Sequence, residues 1–260
     1  MRVVVPSMGR TFDVRTILDL YHAGLAPLVV VPQKEIKAYA EALPMNADVV
    51  GHPASVKGIA KVRQWIMENV PAHSIAMVDD DLSFHVRRKD DPTKFLPAKP
   101  KDIKKMFDTF AKHLTKYAHV SCVGRQGGNR VLEDQECARP WHIFCFNVAK
   151  FREAGVSFGG GLLQDDFDIT LQLLKKGYPN RIVAAYAVNQ HHGHAAPGGA
   201  SCYRSLEDHN KSVRLLQSRH PEFIRVHEKT YSSGGMPGTR LETVVSWKKA
   251  FKSSGGSHAR

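Results

Sequence analysis

Ile75-Ala76-Met77-Val78-Asp79-Asp80-Asp81 joins an apolar run of strand length to three consecutive carboxylates. Four apolar residues with no polar alternation predict a strand buried on both faces, as in a parallel sheet covered by helices. Three adjacent carboxylates at a strand end repel one another unless a cation or hydrogen-bond donors compensate. Mg²⁺ or Mn²⁺ suits such hard oxygen ligands and keeps positions open for phosphate oxygens. Alternation along an extended chain sends Asp79 and Asp81 to one side and Asp80 to the other. An acidic loop or a helix N-terminus is the plainer alternative.

Outward from this stretch, strand and helix signals alternate. Val3, Val4 and Val5 form a short β-branched run closed by Pro6. Val14, Ile17, Leu18 and Tyr21 then follow helical spacing up to Gly24. Residues 28–31 repeat the buried-strand signal, 34–43 read as a helix, 47–50 as a strand and 56–70 as a helix. This order predicts an α/β fold, a Rossmann-like, mainly parallel sheet with helices on both faces. Ligands of such sheets bind beyond the carboxyl ends of the strands, which is where residues 6–10 and 79–81 both fall. Further on, 101–117 is a strongly amphipathic helix and 119–123 and 142–148 are strand-like. A helix begins near Asp165, strand 182–188 leads into a His-rich loop over 190–199, and Ser205 is placed to cap a helix over 206–219. Residues 231–260 read as a basic, partly flexible tail apart from 241–251.

The chain is long enough for a sizeable core without staples. No apolar run approaches the roughly 20 residues that span a bilayer, and Asp13, Arg15 and Asp19 interrupt any signal-peptide pattern. Cytoplasmic residence is therefore the expectation, with no membrane partner and no obligate protein partner. The cysteines Cys122, Cys137, Cys145 and Cys202 lack CxxC spacing, which suits reduced, buried thiols. A formal charge of +12 points to a polyanionic partner, nucleic acid above all, or else to a solvated basic surface.

Further residues carry candidate chemistry. Asp165 and Asp166 open a helix, where a carboxylate can act as a base or simply cap the helix. His191, His192 and His194 lack a nearby cysteine or carboxylate to complete a zinc set, so one histidine joining Asp81 on Mn²⁺ fits better, with His192 and His194 as candidates. Residues 87–105 hold eight Lys/Arg against three Asp, and residues 203–260 hold eleven against five acidic residues. Arg87, Arg88, Lys89 and Arg204 are thus candidate phosphate contacts, and the loop over 124–130, with Arg125 and Arg130, offers polar groups for reading a base or a sugar. Trp141 could stack on a flipped base, or belong to the core.

Taken in order, Pro6-Ser7-Met8-Gly9-Arg10, the helix from Gly58 through Arg63, the Asp79-Asp80-Asp81 triplet, Gln164-Asp165-Asp166-Phe167-Asp168 and His191-His192-Gly193-His194 resemble the glycosyltransferase-A fold, with its DxD and xED motifs. The resemblance covers about residues 1–200. More narrowly, the opening strand-Pro-Ser-x-Gly-Arg, the triplet, the compact length and the basic charge resemble the phage TET-associated glycosyltransferases, which glycosylate 5-hydroxymethylcytosine in DNA.

That resemblance implies a UDP-sugar donor and Mn²⁺ or Mg²⁺. It implies one catalytic domain over 1–230, with residues 1–100 holding the nucleotide-sugar and 101–230 the acceptor. Asp81 would bind the metal and Asp79 the metal or the ribose. Pro6, Ser7, Arg10 and Asp80 would border the nucleotide, with Arg63 near the base or diphosphate. Asp166 matches the base of inverting members, and Asp165 stands where the motif has glutamate, which leaves the choice between the two open. The competing readings are the same fold with a glycan or small-molecule acceptor, a non-catalytic DNA-binding module and a metal nuclease.

Overall fold

The computed structural model describes residues 1–160, 163–191, 198–199, 205–232 and 238–255. Strands β1 (Arg2–Pro6), β2 (Leu28–Pro32), β3 (Asp48–His52) and β4 (Ser74–Val78) run parallel in the spatial order β3-β2-β1-β4. Helices α1 (Arg15–His22), α2 (Ile36–Ala42) and α3 (Ile59–Asn69) connect them. The chain continues through β5 (Leu82–Arg87), β6 (Phe95–Pro97), α4 (Pro100–His113), β7 (His119–Gly124), a distorted turn α5 (Arg125–Gly128), β8 (Gln135–Glu136) and β9 (Ile143–Asn147). Then come α6 (Val148–Glu153), α7 (Asp165–Lys175), β10 (Asn180–Gln190), α8 (Leu206–Arg219), β11 (Ile224–Tyr231), β12 (Gly238–Val245) and α9 (Trp247–Lys252).

One large sheet runs β3-β2-β1-β4-β9-β7-β10-β5-β6, with β8 also paired to β10. The mainly parallel direction set by β1 to β4 returns in β7 and β10, while β9 and β5 run against their neighbours. The expected α/β architecture is therefore present. The reversals could not be foreseen, because burial period does not encode strand direction.

Strand alternation builds two cores at once. Val3, Val5, Val29, Val31, Ala76 and Val78 point to one face, against Ile17 and Leu20 of α1, Tyr39 of α2 and Phe107 and Phe110 of α4. Val4, Val30, Ile75 and Met77 point to the other, against Ile66 of α3, Phe151 of α6 and Ile169 and Leu173 of α7. A run apolar at every position is what two covered faces require.

The outer side of α7 is covered as well. Phe167, Leu171 and Leu174 pack on Leu216 of α8, on Phe223 and Ile224, and on Ala250 and Phe251 of α9. Each such aliphatic or aromatic side chain, fully buried, contributes about 1.5–3 kcal/mol. Ser205 caps α8 as expected, its Oγ accepting from the Asp208 amide at 3.0 Å while the Asp208 carboxylate accepts from the Ser205 amide at 3.2 Å. In the basic stretch beyond 231, β12 starts at Gly238, ahead of the 241–251 expected to be ordered, and pairs along the length of β11. Among the described cysteines, Cys122, Cys137 and Cys145 are free and buried. Among the described residues no helix is long and apolar enough to cross a membrane.

His119 on β7 is an unusual core residue. It is fully buried and stacked on Phe146 with ring centroids 4.7 Å apart, and neither ring nitrogen has a partner. Burial alone pushes its pKa down to about 3. His119→Phe is expected to stabilise the fold by about 1–3 kcal/mol at pH 7, since it removes a donor and an acceptor buried without partners. A folded pKa below the unfolded value confers stability present above the unfolded pKa and lost as pH falls through it. The advantage of the variant should therefore widen between pH 7 and pH 5, which urea melts of both proteins would measure. An unchanged margin would contradict a neutral, buried imidazole.

Candidate active site

The order β2-β1-β4 places the switch point of the sheet between β1 and β4, and the loops leaving those strands meet there. Arg10, 6% exposed, reaches from the first loop to the second, with Nη1 2.5 Å from Asp80 Oδ1 and 3.0 Å from Asp81 Oδ2. Ser7 donates to Asp80 and lies 2.6 Å from the Tyr39 hydroxyl, which also accepts from the Arg10 amide. Sharing of one guanidinium by Asp80 and Asp81 departs from the expected alternation. Residues 80–81 form the turn between β4 and β5, so their side chains no longer follow a strand period. Gly198 and Gly199 cross this loop at positive φ, and a Cβ on Gly198 would stand 2.5 Å from Arg10 Cγ. Only glycine fits so close a crossing.

Arg63 of α3 forms a second bracket. Its Nη1 is 2.7 Å from Asp165 Oδ2 and its Nη2 2.7 Å from Asp79 Oδ1, with the guanidinium over the Phe144 ring at 4.5 Å. Arg63, expected near the base or diphosphate, here meets the carboxylate expected at the metal or the ribose. It is 5% exposed, and both terminal nitrogens are already engaged by carboxylates. His142, at φ 52° just before β9, sets Nδ1 3.1 Å from Asp79 Oδ2 and lies within electrostatic reach of Asp81 and Asp166. A non-glycine residue at positive φ is uncommon and often sits at a functional site.

Asp165 and Asp166 begin α7 side by side but differ in surroundings. Asp165 is buried and held by Arg63, whereas Asp166 is half-buried and has no side-chain donor among the described residues. Arg139 is the cation with the largest effect on Asp166. Its guanidinium stacks on Trp141 at 3.8 Å and on Phe167 at 4.9 Å from the ring centroids, and Phe167 meets Trp247 of α9 edge-to-face at 5.3 Å. Behind them Asp168 accepts from Gln172 at 2.9 Å and faces Nε2 of buried His220 at 2.9 Å, which ties α7 to the end of α8.

Five carboxylates thus crowd one edge against the guanidiniums of Arg10, Arg63 and Arg139, so negative charge is in excess. Burial pushes Asp80 and Asp165 up to about 6 despite their arginines. It raises Asp166, and together with Asp79 it raises Asp81. For Asp79 burial acts in the same direction, but Arg63 and His142 outweigh it and hold the carboxyl below its ordinary range. Among the described residues no three His, Cys, Asp or Glu side chains are grouped to hold a metal by themselves.

The end of β10 closes the site. Gln190 Nε2 is 3.5 Å from Asp81 Oδ1, and the His191 amide donates to the Asp81 carbonyl at 2.6 Å. His192, His194 and Arg204 lie outside the described residues. Of the other expected nucleic-acid contacts, Lys89, Arg125 and Arg130 are exposed, and Arg88 is paired with Asp90. Arg87 is corrected: its guanidinium donates to the carbonyls of Ala184, Gly128, Val131 and Pro92 and stacks on Phe95, so it holds loops together. Of the two readings of Trp141, its packing favours the core. Arg139 is stacked on the indole, and a Cβ on Gly124 would be 2.7 Å from it, so the ring is packed before any base arrives. Sequence reasoning missed Arg139, His142, Tyr39 and Gln190. The only signal it offered was the Pro140-Trp141 context ahead of a strand.

A wound sheet with its acidic edge at the β1/β4 switch defines a glycosyltransferase of the glycosyltransferase-A type. The chain matches the TET-Associated Glycosyltransferase family over residues 1–199 and belongs to that family. It is similar to the beta-glucosyl-HMC-alpha-glucosyl-transferases of enterobacteria phages T6 and T2, at 26% identity over 239 residues in both cases, covering 86% of this chain and 83% of theirs. Its fold is similar to that of glucosyl-3-phosphoglycerate synthase from Mycobacterium tuberculosis, solved with Mg²⁺ and UDP (TM-score 0.53, 11% identity, 94% of this chain and 86% of that one). It is also similar to that of S. aureus TarS 1-349, solved with UDP-GlcNAc (TM-score 0.52, 12% identity, 84% of this chain and 66% of that one).

Proposed function

We propose that this enzyme transfers a hexose from a UDP-sugar to 5-hydroxymethylcytosine in DNA, with inversion, using Asp166 as general base. The observation that carries the mechanism is the contrast within the first turn of α7. Arg63 engages Asp165, while Asp166 keeps a carboxylate without a side-chain donor among the described residues. The hydroxymethyl oxygen attacks C1 of the sugar and the bond from C1 to the diphosphate oxygen breaks. Its electron pair leaves with UDP, and the hydroxyl proton passes to Asp166. The helix N-terminus and Arg139 favour the ionised form that such a base needs.

Residues 1–100 form the donor half, with Pro6, Ser7, Arg10, Asp79 and Asp80 at the nucleotide, and residues 101–230 form the acceptor half. The excess of carboxylate oxygen fits a divalent cation. Magnesium in particular is commonly held by one or two carboxylates plus substrate phosphates, which needs no protein group of three. Asp81 and Asp79 would hold Mn²⁺ or Mg²⁺, with His192 or His194 as a further candidate. When bound, the ion offsets charge on the departing diphosphate.

Family membership, the names of the two phage relatives and the charge of +12 support the DNA acceptor. Those names also favour a second reading, in which the acceptor hydroxyl belongs to a glucose already on the base. The test is mass spectrometry of nucleosides after incubating hydroxymethylcytosine DNA, plain and glucosylated, with a panel of UDP-sugars and Mn²⁺. A gain of one hexose on either DNA is expected. No gain with any sugar would overturn the proposal, and consumption of UDP-sugar only with other acceptors would move the acceptor to a glycan or small molecule. From an α-linked donor, a β product means inversion and an α product retention, which NMR of the product distinguishes.

A further inference from the structure

Strand β6, the 125–129 loop and the end of β10 enclose a pocket of about 550 Å³, within the size range of small-ligand sites. Lys94 and Arg125 contribute cations to it, Gln126, Asn129 and Asn189 contribute amides, and Phe95 an apolar wall. Lys94 is paired with Asp91 at 2.9 Å, whereas Arg125 is exposed and makes no ion pair among the described residues. The Gln126 and Asn129 side chains are exposed and make no hydrogen bonds there either. Arg125 lies close enough to His85 for their charges to interact, and the buried Nδ1 of His85 has no partner.

Position gives the pocket its meaning. Arg125 follows β7, whose last residue Gly124 pairs with Val188 of β10. Asn189 precedes Gln190, which reaches Asp81. The 125–129 side of the pocket therefore lies on the same sheet edge as the aspartates, while Lys94 and Phe95 line it towards the far end of β5. Cations hold a nucleic-acid strand through phosphate without reading sequence, whereas amide side chains discriminate between base edges.

We propose that this pocket seats a nucleotide flanking the modified one on the acceptor strand. Arg125 and Lys94 meet its phosphate, and the amides of Gln126 and Asn129 meet the edge of its base, so the enzyme prefers particular neighbours of its target cytosine. The assignment rests on the DNA-acceptor reading above.

The test uses the full chain and duplexes in which hydroxymethylcytosine is flanked by every combination of neighbours, read by sequencing or mass spectrometry of the hexose-bearing product. Wild type should favour some contexts over others by roughly 10- to 100-fold, the discrimination expected of a well-made amide–base contact. The Q126A/N129A variant should flatten that bias by lowering transfer to the favoured contexts towards that of the disfavoured ones, at an unchanged melting temperature, since both side chains are exposed. R125A should lower transfer alike in all contexts and make its salt dependence shallower by about one phosphate contact. Even-handed transfer by wild type would overturn the pocket and leave the DNA acceptor standing, as would a bias that survives in the double variant. Absence of transfer to these duplexes, whether their hydroxymethylcytosine is plain or glucosylated, would overturn both.

Discussion

Replacing Asp166 with Asn is expected to lower hexose transfer by about 10²–10⁴-fold, the contribution of a positioned general base. UDP affinity and the melting temperature should stay close to those of wild type, because Asp166 makes no side-chain ion pair among the described residues. Asp165→Asn should behave differently, since it breaks the contact with Arg63 and shows its effect in stability. The pH profile gives a second readout. Burial raises the Asp166 carboxyl, and the base must be ionised, so activity is lost as pH falls through that raised value. The acid limb of kcat/KM should therefore lie above the roughly 3.9 of an ordinary aspartate. Undiminished transfer by D166N would refute the assignment, as would rate loss confined to a fully stable D165N.

Arg63→Met should cost the fold about 3–5 kcal/mol, the penalty for stranding buried charges by removing their partner. Arg63 is the shared counter-ion of Asp79 and Asp165, and both rest on it at 2.7 Å. Adding D165N to R63M should recover part of the loss, because one of the two uncompensated charges disappears. The deficit of R63M should also shrink on acidification from pH 7 towards 5. Asp165 already titrates near 6 with its arginine present, and a raised carboxyl confers stability that is present at low pH and lost as pH rises. Denaturant melts of the three proteins at two pH values suffice. A stability equal to wild type in R63M would mean that the bracket contributes nothing.

The alternation of strands and helices through residue 78, the helix opening at Asp165 and the Ser205 cap were all legible in the sequence, because each has a local cause. Apolar period, a helix start and a capping box are written within a few residues of one another. The carboxyl-edge placement of residues 6–10 and 79–81 was legible too, since the βαβ order forces it. Pairings across long stretches were not. Arg63 to Asp165 spans 102 residues and His220 to Asp168 spans 52. Nothing in the period of either segment says which guanidinium meets which carboxylate. Arg87 and Trp141 pose a related difficulty. A basic or aromatic residue near an active site reads as a ligand contact, yet Arg87 closes loop carbonyls and Trp141 supports Arg139. The β10–β5 reversal, which brings Gln190 beside Asp81, is likewise a matter of topology.

The stack Trp141–Arg139–Phe167–Trp247 limits how this enzyme can be taken apart. Its first three members lie within the 1–199 span shared with the family, and its last lies outside it. A chain cut after residue 199 would lay bare the outer side of α7 and leave Asp168 without His220, on the helix whose first turn bears the proposed base. The C-terminal unit is thus a retaining wall for α7 rather than an appendage. Chimeras that exchange it between relatives should keep activity only when the incoming unit supplies partners for Phe167 and Asp168.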